Sequence, residues 1–286
     1  MRPTLKILLS ILVLALVVGA VLEKSSSETL RVEGGWVARL EATPIGRFLE
    51  RQSIPERSVV SQTIAIAHAD NIELKNSAYF SRAFSYSTLH RYNLALRDLD
   101  AAIALKGLSP QDQSEDLMLR AQYKFQSGDF SGTESDCNRL SRLPQRYPLS
   151  VFVLRGWARI YLGKPDLAVG DFSSAIAALP QTRAQMQTSI AQFPHLFPAD
   201  RKKALDEIAL SFSITVSTVY ADRAAAYRAL GQDDKSIMDY NTAIRASPNM
   251  ASLYAGRART EFAAGHWGTA LEDFWTRNKL FWRSNG

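Results

Sequence analysis

The sequence predicts an all-α fold that is built from repeated pairs of helices. One short pattern occurs five times, with small residues, a turn glycine and a closing proline at fixed offsets in the clearest copies. Those copies contain Arg155 and Arg223, and Arg257 of the fifth copy follows Arg223 by 34 residues. Within each copy, apolar residues recur at the three- and four-residue spacing of an amphipathic helix.

Each copy predicts two antiparallel helices that are joined by a tight turn. In the third copy, Val153, Trp157 and Ile160 share one helical face before Gly163 interrupts the pattern. A second apolar run follows, and Pro180 ends it. The turn glycines of three other copies are Gly128, Gly231 and Gly265. Because one such pair is too small to bury its own apolar face, we expect the pairs to stack into an open array.

Together these copies resemble the tetratricopeptide repeat (TPR) family. The likeness covers about two-thirds of the chain, and period, small positions, turn glycine and closing proline agree in it. The resemblance implies a right-handed superhelix, or α-solenoid, with a concave groove that binds peptides or extended protein segments. It also implies an adaptor or assembly factor, since members of this family are mostly not enzymes.

The first part of the chain has the pattern of an export signal. In residues 1–24, two basic residues precede an apolar run at 7–22, which is typical of a signal peptide or of a short membrane anchor helix. The sequence leaves these two alternatives open. Positive charge before the run places the remainder on the far side of the membrane. We therefore expect a protein anchored in the inner membrane and facing the periplasm, or a periplasmic or secreted protein if the leader is cleaved.

The rest of the chain divides by its pattern into four regions. Residues 25–75 are expected to form a spacer and N-terminal capping helices, because terminal units of solenoids are atypical. Residues 76–180 carry repeats 1–3, and residues 217–286 carry repeats 4 and 5 with the C-terminal end. Between them, residues 181–216 have the length of one repeat without its signature.

Two interpretations fit residues 181–216. One is a degenerate repeat that keeps the array in phase, and the other is an inserted helix pair that folds over the groove or binds a partner. Both predict helices over 182–193 and 199–212, since Pro194 and Pro198 force the connection between them out of helical conformation.

An arginine and an aspartate recur at the same distance in every copy. The pairs are Arg82 and Asp98, Arg120 and Asp136, Arg155 and Asp171, Arg223 and Asp239, and Arg257 and Asp273. We expect each arginine to reach either its own aspartate across the helix pair or the aspartate of the neighbouring unit. Such a bidentate ion pair would fix the helix register, and it gives these residues a structural rather than a catalytic role.

The family resemblance implies that the first helix of each pair lines the groove. Carried over residue by residue, the candidate partner-binding residues are Phe84, Gln122, Phe125, Trp157, Tyr161, Arg228, Arg259 and Phe262. This surface is aromatic in its first half and basic in its second, so it suits an extended segment with apolar anchors and an acidic end. For Phe84, and for Ile160 beside Trp157, packing between helices is the alternative.

Composition and motifs argue against several other functions. The net charge of +6 is spread along the chain without a basic face, which argues against nucleic-acid binding. The four histidines are scattered, and neither a metal-ligand spacing nor a glycine-rich phosphate loop occurs. We therefore expect no catalytic residue, cofactor or metal. The single cysteine, Cys137, takes the place of Phe172 and Tyr240 in other copies, which predicts a buried thiol.

These observations predict a non-enzymatic adaptor or scaffold that binds a protein or an extended peptide, in the bacterial cell envelope. An assembly factor or chaperone of a secretion or pilus apparatus is the alternative, and an enzyme platform that acts on the cell wall is a third. The aromatic tail, with Trp275, Phe281 and Trp282, either caps the last helix pair or marks a patch for self-association or membrane contact.

Overall fold

The computed structural model describes residues 54–143, 148–191 and 198–285. Within these ranges every regular element is an α-helix, which confirms the predicted all-α class. The helices are α1 (Ile54–His68), α2 (Ile72–Thr88), α3 (Tyr92–Ile103), α4 (Pro110–Gln126), α5 (Phe130–Leu140), α6 (Pro148–Tyr161), α7 (Pro165–Ala177), α8 (Leu179–Ala191), α9 (Pro198–Ala229), α10 (Asp233–Ala246), α11 (Ala251–Ala263) and α12 (Trp267–Asn285). The predicted leader, its apolar run and the spacer lie outside the described residues.

By its contacts the chain divides into two compact units, Met1–Leu108 and Ser109–Gly286. In the first unit, α2 packs against both α1 and α3. In the second unit, antiparallel pairs are formed by α4 with α5, α6 with α7, α9 with α10, and α11 with α12. Consecutive pairs are joined by packing of α5 on α6, α7 on α9, and α10 on α11.

Glycines in the left-handed backbone region form the turns within the pairs. Gly163 has a φ of 71°, and the amide of Lys164 donates back to the carbonyl of Arg159 at 2.8 Å. This six-residue closure satisfies carbonyls that the end of a helix leaves free. The same closure occurs at Gly128, Gly231 and Gly265. In the first copy His90, with a φ of 55°, takes the place of the glycine.

The longest helix departs from the predicted elements. We expected a helix over 199–212 to end before the fourth repeat, but α9 continues for 32 residues to Ala229. Neither proline nor glycine occurs between Pro198 and Gly231, so nothing in the backbone stops the helix. The preceding helix, α8, begins at Leu179 and has Pro180 in its first turn, where a proline costs no hydrogen bond.

The two halves of α9 have different surroundings. Its second half packs on α7, where Arg223 Nη1 donates to Ser173 Oγ at 3.1 Å. In residues 201–216 the side chains are mostly exposed, including Leu205, Leu210 and Ile214. If residues 181–216 formed a repeat stacked between repeats 3 and 4, that repeat would separate α7 from the second half of α9. Instead, α7 and the second half of α9 are in direct contact.

Candidate partner-binding site

Every arginine of the five copies lies against the aspartate of its own helix pair. Arg82, Arg120 and Arg257 place Nη2 at 2.6, 2.6 and 2.7 Å from Oδ1 of Asp98, Asp136 and Asp273, and Arg223 places Nε at 2.7 Å from Oδ2 of Asp239. In these four copies Nε and Nη2 bind the two carboxylate oxygens as a fork. All five aspartates are buried.

The third copy uses its aspartate differently. Arg155 directs both Nε and Nη2 to Oδ1 of Asp171, at 3.0 and 2.7 Å. The other oxygen is taken by Arg159, whose Nη1 lies 2.8 Å away. Arg159 also binds Glu134 on α5, and Lys164 lowers the pKa of Glu134 by its hydrogen bond. A charged network therefore connects α5, α6 and α7.

The remaining guanidinium nitrogen makes a contact that the spacing of the pairs does not predict. Nη1 of four arginines donates to a polar side chain on a third helix, in the pairs Arg82–Thr63, Arg155–Asn138, Arg223–Ser173 and Arg257–Asn241. In the last three pairs the acceptor stands two residues after the aspartate of the preceding unit. Each of these arginines thus links three helices, and the hydrogen bond to aspartate raises the pKa of Arg82, Arg223 and Arg257.

Four of the predicted partner-binding residues line one cleft between α4 and α6. Its volume is about 480 Å³. Its lining residues are Met118, Gln122, Phe125, Leu149, Ser150, Val153, Leu154, Trp157 and Tyr161. We call it the α4/α6 cleft.

Aromatic rings form a continuous cluster at this cleft. Tyr161 stacks on Phe130 with ring centroids 4.4 Å apart and meets the edge of Phe125 at 5.7 Å. Trp157 extends the cluster to Phe172, which is fully buried, at 6.1 Å. Because Tyr161 remains 59% exposed, the cluster offers a ring to solvent while its base is held in the core.

Trp157 has a polar partner that is not among the predicted site residues. Its indole N–H donates to the carboxylate of Asp222 on α9. Burial raises the pKa of Asp222 to about 7, against the opposing effect of this hydrogen bond, and Oδ2 has no partner among the described residues. Asp222 directly precedes Arg223 in the sequence and carries no pattern of its own, so only the fold reveals its contact with Trp157.

The other predicted residues lie elsewhere. Arg259 and Phe262 line a second cleft, between α11 and α12, with a volume of about 790 Å³. Arg228 is exposed at the end of α9, and both Arg228 and Arg259 lower the pKa of Tyr240 against the larger effect of its burial. Phe84 is exposed in the first unit. Six of the eight residues therefore line two clefts of the second unit, while Arg228 lines neither cleft and Phe84 belongs to the first unit.

Features of other classes of protein are not found in the described residues. No group of three His, Cys, Asp or Glu side chains there could hold a metal ion. No helix within the described ranges combines the length and apolar character that a membrane crossing requires. Cys137 is buried, and burial raises the pKa of its thiol to about 12, so it is not a reactive thiolate.

Comparison with known proteins supports the fold through structure alone. No protein-family model matches the chain, and no curated protein matches it. The crystal structure of BtubC (BKLC) from P. vanneervenii is 12% identical and covers 82% of this chain and 94% of its own, with a TM-score of 0.62. MamA residues 41 to the end from Desulfovibrio magneticus RS-1 is 15% identical and covers 74% of this chain and 97% of its own, with a TM-score of 0.56. The chain is thus similar to these proteins in having an all-helical repeat fold.

Proposed function

We propose that this protein is a non-enzymatic scaffold of the tetratricopeptide repeat type, which binds an extended segment of another protein in the α4/α6 cleft. The aromatic cluster of the cleft is the observation that carries the proposal. The exposed ring of Tyr161 and the half-buried rings of Phe125 and Trp157 supply apolar contact area at a low cost in conformational entropy. The helices beneath hold these rings in position before a partner arrives, which reduces the ordering cost of binding.

The surroundings of the cleft favour recognition over chemistry. The buried aspartates of the repeats already bind arginines, so their carboxylates are occupied by contacts within the fold. Gln122 is the polar side chain among the predicted residues of the cleft, and its amide can both donate to and accept from a peptide backbone. A segment with one or two apolar side chains and an extended backbone fits this lining.

We further propose that the protein works in the cell envelope, tethered or exported by residues 7–22. The support for this step is the apolar run with basic residues before it. Analysis of the N-terminus of the mature protein by mass spectrometry would distinguish cleavage from retention. Recovery of the intact chain from the cytosolic fraction would contradict export.

A selection with displayed linear peptides tests the binding function. Peptides that the purified chain enriches are expected to carry aromatic or aliphatic anchors. Their Kd, measured by fluorescence anisotropy, should rise about tenfold or more for Phe125→Ala and for Tyr161→Ala, since removal of one central aromatic anchor costs ~1–2 kcal/mol or more. Met238→Ala is the matched control, because Met238 is 67% exposed on α10 outside the cleft. If no peptide is enriched, or if all three variants bind alike, the proposal is wrong.

A further inference from the structure

A second groove lies between α11 and α12, and the equivalent grooves earlier in the same unit are filled by a helix. We call it the terminal groove. Its volume is about 790 Å³. Its lining residues are Ala255, Ala258, Arg259, Phe262, Trp267, Ala270, Leu271, Phe274 and Arg277.

The repeat itself shows what this kind of groove accommodates. Ala168 and Phe172 of α7 form a buried cluster with Ala226 of α9, and Trp157, Ile160 and Val169 pack against that cluster. From Arg155 to Arg257 is 102 residues, or three periods of 34. The residues that lie 102 positions after Trp157, Ile160, Ala168, Val169 and Phe172 are Arg259, Phe262, Ala270, Leu271 and Phe274. All five line the terminal groove. The terminal groove is therefore the counterpart of the site that α9 occupies on α6 and α7.

The exposed fraction of one aromatic side chain shows that the terminal groove is open where its counterparts are covered. Phe172 is 0% exposed beneath α9, and Tyr240 is 5% exposed beneath α11. Their counterpart Phe274 is 46% exposed, and no described helix covers it. Trp267 and Leu271 are also more than half exposed beside it. A folded unit thus leaves open an apolar groove whose equivalents it fills with helix.

Two residues of the terminal groove are charged where their counterparts on α6 and α7 are not, and they indicate the charge of the occupant. Arg259 stands where α6 has Trp157, and Arg277 stands where α7 has Ala175. Two guanidinium groups therefore border a groove that is otherwise apolar. A helix with acidic residues on both sides of an apolar stripe complements this distribution of charge.

Trp275 of α12 argues against another repeat helix of this chain as the occupant of the terminal groove. Inside the unit, Asn138, Ser173 and Asn241 accept a hydrogen bond from Nη1 of the arginine of the following repeat. The corresponding residue of α12 is Trp275, two residues after Asp273, and an indole cannot accept that hydrogen bond. A repeat helix seated here would bury its arginine against an aromatic ring without the polar acceptor.

From these observations we propose that the terminal groove binds an amphipathic helix of a partner protein, whose apolar face is flanked by acidic residues. The helix lies where the first helix of a following repeat would lie. At its centre it presents a small side chain to Phe274, as α9 presents Ala226 to Phe172. This site shares no residue with the α4/α6 cleft, so the two binding proposals can fail separately.

The test selects helices with the full chain as bait. A displayed library of helical peptides carries Ala and Leu on one face, with Glu, Lys, Gln or Ser varied at the flanking positions. We expect enriched peptides to carry glutamate at both flanks. A synthetic peptide of that kind should bind at least about tenfold more tightly than its lysine-flanked counterpart, with a difference that shrinks as salt increases.

Variants of the chain assign the binding to this groove. Leu271→Asp should weaken binding of the glutamate-flanked peptide about tenfold or more, because it places a negative charge in the apolar groove. The double variant Arg259→Glu, Arg277→Glu should reverse the preference and bind the lysine-flanked peptide more tightly. Leu210→Asp is the matched control, since Leu210 is 63% exposed on α9, where it lines neither cleft, and Leu271 is 56% exposed here. Circular dichroism confirms that each variant is folded, and the arginine pair carries the test if Leu271→Asp is not.

Several results would overturn the proposal. One is equal selection of acidic and basic flanks, and another is binding that Leu271→Asp and the arginine double variant leave unchanged. Sedimentation that shows a dimer of the wild type and a monomer of Leu271→Asp would assign the groove to a second copy. Binding to vesicles of phosphatidylcholine and phosphatidylglycerol that Leu271→Asp abolishes would assign it to a lipid surface.

Discussion

The helix pairs α6/α7 and α11/α12 share one sequence pattern but differ in what covers them. Each holds its arginine against its own aspartate, and each closes its turn with a left-handed glycine. The first pair lies under α9, so Phe172 is fully buried, whereas Phe274 of the second pair is half-exposed. The repeat pattern thus specifies how a pair folds, while burial of its outer face depends on the neighbour that follows.

The largest expected contrast is at the shared aromatic position. Phe172→Ala should lower the free energy of unfolding by about 3–5 kcal/mol, because it leaves a cavity beneath α9. Phe274→Ala should cost about 1 kcal/mol or less, since its ring already contacts solvent. Urea denaturation of both variants measures the difference. Equal losses would mean that Phe274 is covered in solution.

The packing of α9 on α7 buries Asp222, which should make the free energy of unfolding depend on pH. Burial raises the pKa of Asp222 from 3.8 to about 7, so the folded state binds a proton that the unfolded state has released. The contribution of Asp222 to the free energy of unfolding is fully present below about pH 4. It falls by up to roughly 4 kcal/mol as the pH rises to about 7. Asp222→Asn, which keeps an acceptor for Trp157, should flatten this dependence. Unfolding free energies of both proteins from pH 4 to 8 provide the check, and parallel curves would contradict it.

The ion pairs should differ in the same direction. Asp171 accepts from two arginines and Asp273 from one, so Asp171→Ala removes an acceptor from two guanidinium groups, of which Arg159 keeps Glu134. We expect a loss of about 3 kcal/mol or more for Asp171→Ala and a smaller loss for Asp273→Ala. A thermal denaturation series would show this order, and the reverse order would contradict the contribution of Arg159.

The smallest expected effect is at a glycine of α6. A Cβ on Gly156 would lie 2.7 Å from the ring of Phe172, so Gly156→Ala should destabilise by about 1–3 kcal/mol. At the corresponding position α11 already carries Ala258. Gly170→Ala in α7 is the control, because a Cβ there meets nothing within 4 Å, and alanine should stabilise the helix by up to about 1 kcal/mol. The outcome that would count against this packing is a gain in stability for both variants.

The local parts of the fold are the parts that the sequence predicts well. Gly163 and Asp171 each act within one helix pair, and the period of 34 residues repeats their surroundings, so their roles can be inferred from spacing. The all-α class follows from the same periodicity.

Contacts between pairs are harder to predict, because they depend on which helix comes next in space. Asn138 and Asn241 accept hydrogen bonds from the following repeat, yet in the sequence each is only a polar residue within a helix. Asp222 meets Trp157 because α9 packs on α7 despite the residues between them. The family resemblance predicts the aromatic residues of the α4/α6 cleft, but only the packing shows that Arg259 and Phe262 line another cleft.

The unbroken course of α9 has a mechanical consequence. Residues 201–216 extend for roughly 24 Å of helix at 1.5 Å per residue, and the same rod continues into the segment that holds Asp222. Since a helix without proline or glycine bends little, a force applied to this exposed half is transmitted as a tilt of the half that rests on α7. A force on Leu210 would therefore shift Asp222 on the same helix, and with it the contact to the indole of Trp157 on α6.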